Sequence, residues 1–573
     1  MNPFVFNAAS NLDSELLMKM FIPDHNYSRF IESKRNVFFW GERGCGKTMT
    51  LLYNKMLLIN KAEQNIKDGK CISYIPVYIS CITPLVFKRE YLLLENNFKA
   101  AVVSEHYLSL SIALSLVDSL LELPYLASAI DNDSLSSDIS YIFDCELPIG
   151  DNAFVRLKRF ITKKFIQTQK EINRSDSDSF YDDTFTFTSI IIPLIDILKE
   201  LNCFSDTHFI FMMDDAHDLN THQRSALNSW IAYRDNSAFS FKVSAAKTPD
   251  FSLATTSGGA ILPGHDYIAI DIEKPFQNNE SAYGQLARKI ISKRLELIGV
   301  SQSPEDFFPI NKNMESDLEQ ARIRAKEIAI EKYGIDDKKS ISDYVYKYSR
   351  AIYFRERSPK SNKPPYSGFE TIVNISSGVI RNLLEPCFVM YEDMISKNIN
   401  DKEISEISTS VQTDVIFRLS ESFWKRLRDG INNEIDNCST LDGQHVENLF
   451  NGLAELFRNR LLDENSSEPR AIAFTISAKS DDIMSKLRPI LNIARRAQLL
   501  YVRTGNAKDN GADEDYFIPN KMLWPSRGLD PVGQHARVSI QARYLLDAAL
   551  NKTPIPYKGI TMPTSLQLGL FDE

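Results

Sequence analysis

The chain has 573 residues, of which 43% are apolar and 25% charged, and its formal net charge is −9. This length predicts about three or four domains, each large enough to bury a core, and the composition excludes a mainly disordered chain. The acidic balance excludes a protein covered with basic residues for binding nucleic acid, although it leaves a local basic face open.

The cysteines and the apolar stretches predict where the protein resides. Seven cysteines form no C-x-x-C pair, which favours reduced thiols over a disulfide scaffold or a zinc ribbon. No basic segment followed by an apolar run opens the chain, so no signal peptide is predicted. The longest apolar stretch, near Ile190–Leu198, is too short to span a bilayer. We therefore expect a soluble cytoplasmic protein that binds no membrane.

The strongest motif lies between a predicted buried strand, residues 36–40, and a predicted helix, Thr48–Leu58. Residues 41–48 fit the pattern G-x-x-x-x-G-K-[ST], in which backbone amides surround phosphate oxygens at a helix N-terminus. We expect Lys47 to bind the β- and γ-phosphates of ATP and the Thr48 hydroxyl to bind Mg²⁺. A glycine turn formed by chance is the alternative. The expected nucleotide-binding residues are Gly41, Glu42, Arg43, Gly44, Cys45, Gly46, Lys47 and Thr48.

A long segment, about residues 84–205, follows a second predicted strand at Tyr74–Ser80. It exceeds what a crossover between two strands needs, so we interpret it as a helical insertion. The predicted helices are Tyr107–Leu123 and Ile190–Leu201, with Pro193 in the first turn of the latter. The segments predicted as exposed loops are the Ser- and Asp-rich Ala129–Ser140 and Ser175–Ser179, with Asp182 and Asp183.

A third predicted strand, starting at Thr207, ends in two carboxylates, Asp214 and Asp215. A phosphate-binding loop needs such a partner, so we expect Asp214 to bind Mg²⁺ through water and Asp215 to act as the general base. The alternative is a strand that ends in a polar turn. Residues 238–244 and 265–271 predict two further strands. Ser244, at the end of the first of them, is a candidate sensor of the γ-phosphate, with an ordinary strand-end serine as the alternative.

Several segments together resemble AAA+ ATPases of the origin-recognition-complex-like class and their bacterial relatives. They are Pro3–Ala9, Gly41–Thr48, Asp214-Asp215 and Ser376–Leu384. The resemblance covers about residues 1–395 and implies an α/β parallel-sheet ATPase core with an α-helical lid. It also implies that Arg381 is a second sensor arginine that couples lid closure to nucleotide. The class usually has Glu where this chain has Asp215, so we expect either slow hydrolysis or a protein that acts mainly as an ATP-binding switch.

The resemblance further implies an ATP-dependent homo-oligomer in which one subunit supplies an arginine finger to its neighbour. Arg234, just before the strand that ends at Ser244, lies at about the expected place. Several other arginines do as well, and an ordinary surface arginine is the alternative.

The predicted domains are residues 1–280 for the core, 281–400 for the helical lid, 401–555 for a C-terminal domain and 556–573 for a flexible tail. In the C-terminal domain, helices precede a short predicted hairpin, an order that suits the winged-helix DNA-binding domain common in this class.

Residues 470–543 contain twelve Lys and Arg against seven Asp and Glu. A solvated helix face or a protein interface is the alternative to DNA binding. The clustered arginines are Arg488, Arg495, Arg496 and Arg503.

The last residues of the given sequence contain Gln567-Leu568-Gly569-Leu570-Phe571, a Q-L-x-L-F pattern that resembles the sliding-clamp-binding peptide of bacterial replication proteins. We expect the Gln567 amide to form hydrogen bonds while Leu568, Leu570 and Phe571 fill an apolar pocket of the clamp. The alternative is a tail that packs on its own domain.

Two functions follow from these features. The first is an ATP-driven switch that assembles on DNA or on a DNA-bound sliding clamp. The second is an ATPase sensor and scaffold of a bacterial antiphage defence system, which licenses a separate effector protein. No His or Cys set has zinc-ligand spacing, and no nucleophile elbow is present, so neither a catalytic zinc nor a serine hydrolase is expected.

Overall fold

The computed structural model describes residues 2–5, 9–23, 27–82, 97–145, 152–172, 184–233, 237–248, 251–274, 280–357, 364–397, 404–435, 438–506, 513–533 and 536–557. Packing divides the chain into two compact units. The P-loop unit is Asn7–Lys274, and the C-terminal unit is Met1–Phe6 together with Pro275–Glu573. The finer division into core, lid, C-terminal domain and tail stays a prediction.

The P-loop unit is built on a parallel sheet of five strands in the order β2-β3-β4-β1-β5. Every strand predicted in this part of the sequence is present, which confirms the α/β fold class. Because all five strands are parallel, their carboxyl ends lie at one edge of the sheet. The strands are β1 Val37–Trp40, β2 Tyr74–Ser80, β3 His208–Asp214, β4 Phe239–Ala245 and β5 Ile268–Asp271.

Both faces of this sheet are buried, as the continuous apolar runs of its strands predict. In β1, Val37 and Phe39 pack in one core with Leu51 and Leu58 of the helix that follows the phosphate-binding motif. Phe38 points to the opposite face and packs in a larger core with the insertion helices. Period-two alternation along a strand that is covered on both sides produces this arrangement.

Helices lie between β2 and β3, where the sequence predicts a helical insertion. The predicted helix with Pro193 in its first turn is present, with Ile192 as its first residue, after a π-helical turn at Phe187–Ile191. The α-helices are Ser14–Met20, Ser28–Ile31, Lys47–Lys67, Asn97–Leu121, Leu126–Ala129, Asn132–Ile142, Ala153–Ile172, Ile192–Glu200 and Thr221–Ala232.

One expectation for the insertion is wrong. Ala129–Ser140 was expected as an exposed loop, but Asn132–Ile142 is a helix that Asp131 caps by accepting hydrogen bonds from the amides of Asp133 and Ser134. Leu135 and Ile139 of this helix, four residues apart, are buried. The polar segment folds because these two side chains join the core. The second predicted loop, Ser175–Ser179, lies outside the described residues.

The helix predicted at Tyr107–Leu123 is present, but it begins ten residues earlier, at Asn97. Asn97–Leu121 has 25 residues and is long and apolar enough to cross a membrane, which Ile190–Leu198 is not. However, 72% of the most apolar 18-residue stretch of this helix is buried inside the protein. Its apolar side chains pack against the sheet, so it is a core helix of the P-loop unit.

The C-terminal unit is mainly helical and contains a second sheet of four strands in the order β7-β8-β6-β9. The strands are β6 Ala473–Ser477, β7 Leu500–Asn506, β8 Asp513–Pro519 and β9 Arg537–Gln541. The helices are Glu280–Glu296, Pro304–Phe307, Lys312–Tyr333, Lys338–Arg357, Phe369–Ile375, Ile380–Lys397, Thr409–Asp429, Ile431–Glu434, Thr440–Leu462, Asp481–Arg496 and Ala542–Asn551.

The predicted hairpin near the C-terminus is present. β7 and β8 are antiparallel, from Leu500 opposite Pro519 to Asn506 opposite Asp513, and β8 also pairs with β6. The helix Asp481–Arg496 connects β6 to β7. The sequence did not predict β9, which lies parallel to β6 at the edge of the sheet. Whether this domain reads DNA as a winged helix stays a prediction.

Candidate nucleotide-binding site

The loop between β1 and the helix Lys47–Lys67 requires its glycines. Gly44 and Gly46 have φ angles of 85° and 101°, which glycine adopts without the steric penalty of a Cβ. At Gly41, a Cβ would lie 2.6 Å from the sulfur of Cys45 and 2.9 Å from Ile272. The helix begins at Lys47, directly after the loop. Its first backbone amides have no hydrogen-bond partner within the helix, so they are available to bind phosphate oxygens at the loop.

Lys47 is the first residue of this helix and is only 5% exposed. Its Nζ donates to the carbonyl oxygens of Gly41 and Glu42, at 2.9 and 3.0 Å. The ammonium group thus lies inside the curve of the loop, where a phosphate would be bound. A phosphate oxygen can replace these two carbonyls as its acceptor, which is the role that the sequence predicts.

The ends of β2, β3 and β4 bring the polar side chains of Tyr78, Asp214 and Ser244 together at the carboxyl edge of the sheet. The Asp214 carboxylate is 2% exposed and accepts hydrogen bonds from the Tyr78 hydroxyl at 2.8 Å and from the Ser244 hydroxyl at 2.5 Å. The Ser244 oxygen in turn accepts from the Asp215 amide at 2.9 Å. Ser244 therefore connects both acidic residues, and its role as a sensor of the γ-phosphate stays a prediction.

Asp215 has φ 55° and ψ 43°, a left-handed conformation that is uncommon outside glycine. Burial and the negative charge of Asp214 raise the pKa of Asp215 to about 6, from the ordinary value of 3.8. The positive charges of Lys47 and Arg43 act in the opposite direction. A carboxylate with this pKa is ionised at neutral pH and can accept a proton, as a general base must.

Arg43, at the tip of the loop, contacts the segment after β3. Its Nη2 lies 3.2 Å from the Asp218 carboxylate, and its Nε lies 3.2 Å from Nε2 of His217. Burial, followed by the positive charges of Arg43 and Lys47, lowers the pKa of His217 to about 3. The imidazole is therefore neutral and packs under the loop.

A group of charged residues behind the loop was missed by sequence reasoning. The Glu273 carboxylate accepts the Glu42 amide at 3.0 Å and the Lys247 ammonium at 3.0 Å. Lys247 also pairs with Asp271 at 2.8 Å. Asp271 ends β5, and Lys247 and Glu273 follow the ends of β4 and β5, so all three lie at the same sheet edge as the phosphate loop. The strand-end rule that selected Asp214 and Ser244 could have found them.

The site has oxygen donors suited to Mg²⁺. Thr48 is the second residue of the helix, and Asp214 ends β3, so the hydroxyl and the carboxylate belong to two elements that converge at the sheet edge. Hydroxyl and carboxylate oxygens are the ligands that Mg²⁺ prefers, together with substrate phosphates and water. Across the described ranges, no group of three or more His, Cys, Asp and Glu side chains could hold a metal by itself.

Other predicted site residues lie elsewhere. Arg381 belongs to the C-terminal unit, where it is exposed on the first turn of the helix Ile380–Lys397. Of the four clustered arginines, Arg488 is exposed, and Arg503 binds a backbone carbonyl of its own unit. Arg234 and the peptide Gln567–Phe571 lie outside the described residues.

The parallel order β2-β3-β4-β1-β5, a phosphate loop after β1 and an acidic pair after β3 define a P-loop AAA+ nucleotide-binding protein. The model of the ORC-CDC6-like family matches residues 2–540. The chain belongs to this family, and the resemblance stated from the sequence is confirmed: it is an AAA+ protein of the ORC/CDC6 type. A search of curated proteins found no match.

Proposed function

We propose that this protein is an ATP-binding and ATP-hydrolysing switch that assembles on DNA or on a DNA-bound sliding clamp. The observation that carries the ATPase part is the link at the strand ends, where the Ser244 hydroxyl binds both the Asp214 carboxylate and the Asp215 amide. This link holds the two carboxylates in fixed positions beside the phosphate-binding loop. Preorganised polar groups of this kind supply much of the rate enhancement in phosphoryl transfer.

Each residue has a defined task. Lys47 exchanges the Gly41 and Glu42 carbonyls for the β- and γ-phosphates of the substrate, and the loop amides bind the remaining oxygens. Asp215 accepts a proton from the water that attacks the γ-phosphate, and Ser244 keeps its backbone in place. Thr48 and Asp214 would hold Mg²⁺, which would supply neutralisation of phosphate charge. Glu273 holds the loop from behind through the Glu42 amide.

Switching requires parts beyond this site. Arg381 is proposed to read the γ-phosphate from the lid, and an arginine of a neighbouring subunit, for which Arg234 is one candidate, to complete the site in an oligomer. DNA binding is proposed for the C-terminal domain, and clamp binding for residues 567–571. Family membership supports DNA association and oligomerisation in general terms.

A second candidate function is an ATPase sensor and scaffold of an antiphage defence system that licenses a separate effector protein. Asp215 is one methylene shorter than the glutamate usual in the class, which favours slow hydrolysis and long nucleotide occupancy. The helical insertion, from Asn97 to Glu200, is a large extra surface on which a trigger could act.

The test is ATP turnover by the purified full chain with and without duplex DNA. Lys47→Ala should lower turnover by about 10²-fold or more, as expected for loss of one preorganised charged donor. The matched control is Lys61→Ala, an exposed lysine of the same helix, which should leave turnover unchanged. Turnover that rises with DNA supports the DNA-assembling switch, and the clamp is then the next addition.

Tight ATP binding without turnover, with or without DNA, would favour the sensor and scaffold. Turnover unaffected by Lys47→Ala would overturn both candidates, since each depends on this site.

A further inference from the structure

The turn that precedes Arg381 has an unusual backbone. It connects the helices Phe369–Ile375 and Ile380–Lys397, and Ser377 and Gly378 have φ angles of 57° and 82°. Two successive left-handed residues, one of them not glycine, are unfavourable unless the surroundings hold them. The direction in which the Arg381 helix leaves this turn therefore depends on what the turn contacts.

The contacts come from the β7–β8 hairpin and the segment after it. Arg503 of β7 donates from Nη2 to the Ser377 carbonyl oxygen at 2.9 Å, and the Lys521 amide donates to the Ser377 hydroxyl at 2.9 Å. A Cβ at Gly378 would lie 2.8 Å from the same Arg503 nitrogen, so the guanidinium occupies the space that the missing side chain leaves. Both strained residues are thus held from the hairpin side.

A second connection begins one residue after Arg381. The Asn382 amide nitrogen donates to the buried Tyr501 hydroxyl at 3.0 Å, and Asn520 donates to the same oxygen at 3.2 Å. Tyr501 and Arg503 are two residues apart on β7 and therefore lie on one face of the hairpin. This face, defined by Tyr501 and Arg503, contacts the residues on both sides of Arg381 in sequence.

We infer that Arg503 is a positioning residue for Arg381. Through Arg503, the β7–β8 hairpin controls the position from which Arg381 contacts the nucleotide. The inference rests on the proposed role of Arg381. It differs from the expectation for Arg503 as a DNA-phosphate contact, because the guanidinium binds Ser377 within its own unit. A displacement of the hairpin by a ligand would move the turn and with it the first residues of the Arg381 helix.

The experiment measures the affinities of fluorescent ATP and ADP for the full chain, together with duplex DNA binding. Arg381→Ala should lower the ratio of ATP to ADP affinity about tenfold, and Arg503→Gln should lower it by a similar factor, within the 5–150-fold range typical of coupled sites. Arg503→Lys keeps one donor for the Ser377 carbonyl and should restore part of the ratio. DNA affinity should change less than about twofold in Arg503→Gln.

Two further variants separate positioning from folding and from DNA contact. Tyr501→Phe removes only the hydroxyl that Asn382 and Asn520 use, and should lower the same ratio by a smaller factor. Arg488→Gln is the matched control, since this arginine is exposed on the helix before β7 and should leave the ratio unchanged.

The outcomes are distinguishable. If Lys47→Ala retains ATP affinity, the proposed function fails. If Lys47→Ala and Arg381→Ala act as expected but Arg503→Gln and Tyr501→Phe keep the normal ratio, only the positioning role is refuted. If Arg503→Gln instead weakens DNA binding and lowers its salt dependence by about one phosphate contact, Arg503 is a DNA contact after all.

Discussion

The half-buried Asp215 carboxylate should cost this protein stability, and the cost can be measured. An aspartate with a pKa of about 6 in the folded state and 3.8 in the unfolded chain binds its proton more tightly when folded. Its ionised form therefore destabilises the folded protein at neutral pH, and this penalty shrinks as the pH falls through 6 toward 3.8. This change of stability with pH is opposite in direction to that produced by an aspartate whose pKa is lowered by a salt bridge.

The perturbation is Asp215→Asn, which removes the charge and nearly keeps the shape. A pKa difference of about 2.2 corresponds to about 3 kcal/mol at pH 8, so the variant should be more stable by about that amount. At pH 5 Asp215 is already protonated in most folded wild-type molecules, so the gain in stability from the substitution should fall to about half. Near pH 3.8 the gain in stability should nearly vanish.

The assay is thermal unfolding of both proteins at pH 8 and pH 5 followed by tryptophan fluorescence, to which Trp40 and Trp230 contribute from the P-loop unit and Trp424 and Trp524 from the C-terminal unit. For a unit of this size, about 3 kcal/mol corresponds to a rise in Tm of about 6 to 12 °C. Asp196→Asn, an exposed aspartate of the same unit, is the control and should show no pH-dependent gain. A variant no more stable than the wild type at pH 8, or equally stabilised at both pH values, would refute the reasoning.

The proposed role of Asp215 as the general base also predicts how turnover responds to substitution and to pH. Asp215→Asn should lower turnover by about 10²-fold or more, because the attacking water loses its proton acceptor. In the wild type, turnover should fall about tenfold between pH 7 and pH 5, where only about a tenth of Asp215 is ionised. A flat pH profile over this range would contradict the role of Asp215 as the base.

Three further predictions concern other parts of the structure. Ser244→Ala should lower turnover by about 10- to 100-fold, because both carboxylates lose their common partner, while nucleotide binding measured by fluorescence changes little. Glu273→Gln keeps an acceptor for the Glu42 amide but loses the charge that pairs with Lys247, so ATP should bind several-fold more weakly in titrations. Gly378→Ala should lower the Tm of the C-terminal unit, since an alanine at φ 82° costs about 1 kcal/mol or more, and an unchanged Tm would show that the turn relaxes freely.

The sequence alone was sufficient for the core of the P-loop unit. Five apolar strands and the glycine loop are local patterns, in which the hydrophobicity of each strand and the conformational needs of each glycine depend on few neighbours. Lys47, Asp214 and Ser244 could be selected because strand ends in a parallel sheet share one edge. Knowledge of the strands was therefore enough to bring these residues together.

Only the tertiary structure decided how polar segments and arginines are used. Residues 129–140 look like a loop by composition, but burial of Leu135 and Ile139 makes most of them a helix. Arg503 belongs by spacing to a basic cluster, yet it binds the Ser377 carbonyl, 126 residues away in the chain. A charged side chain has the same local signal whether it faces solvent, DNA or a backbone carbonyl. The choice depends on contacts between residues far apart in sequence, which exist only once the chain has folded.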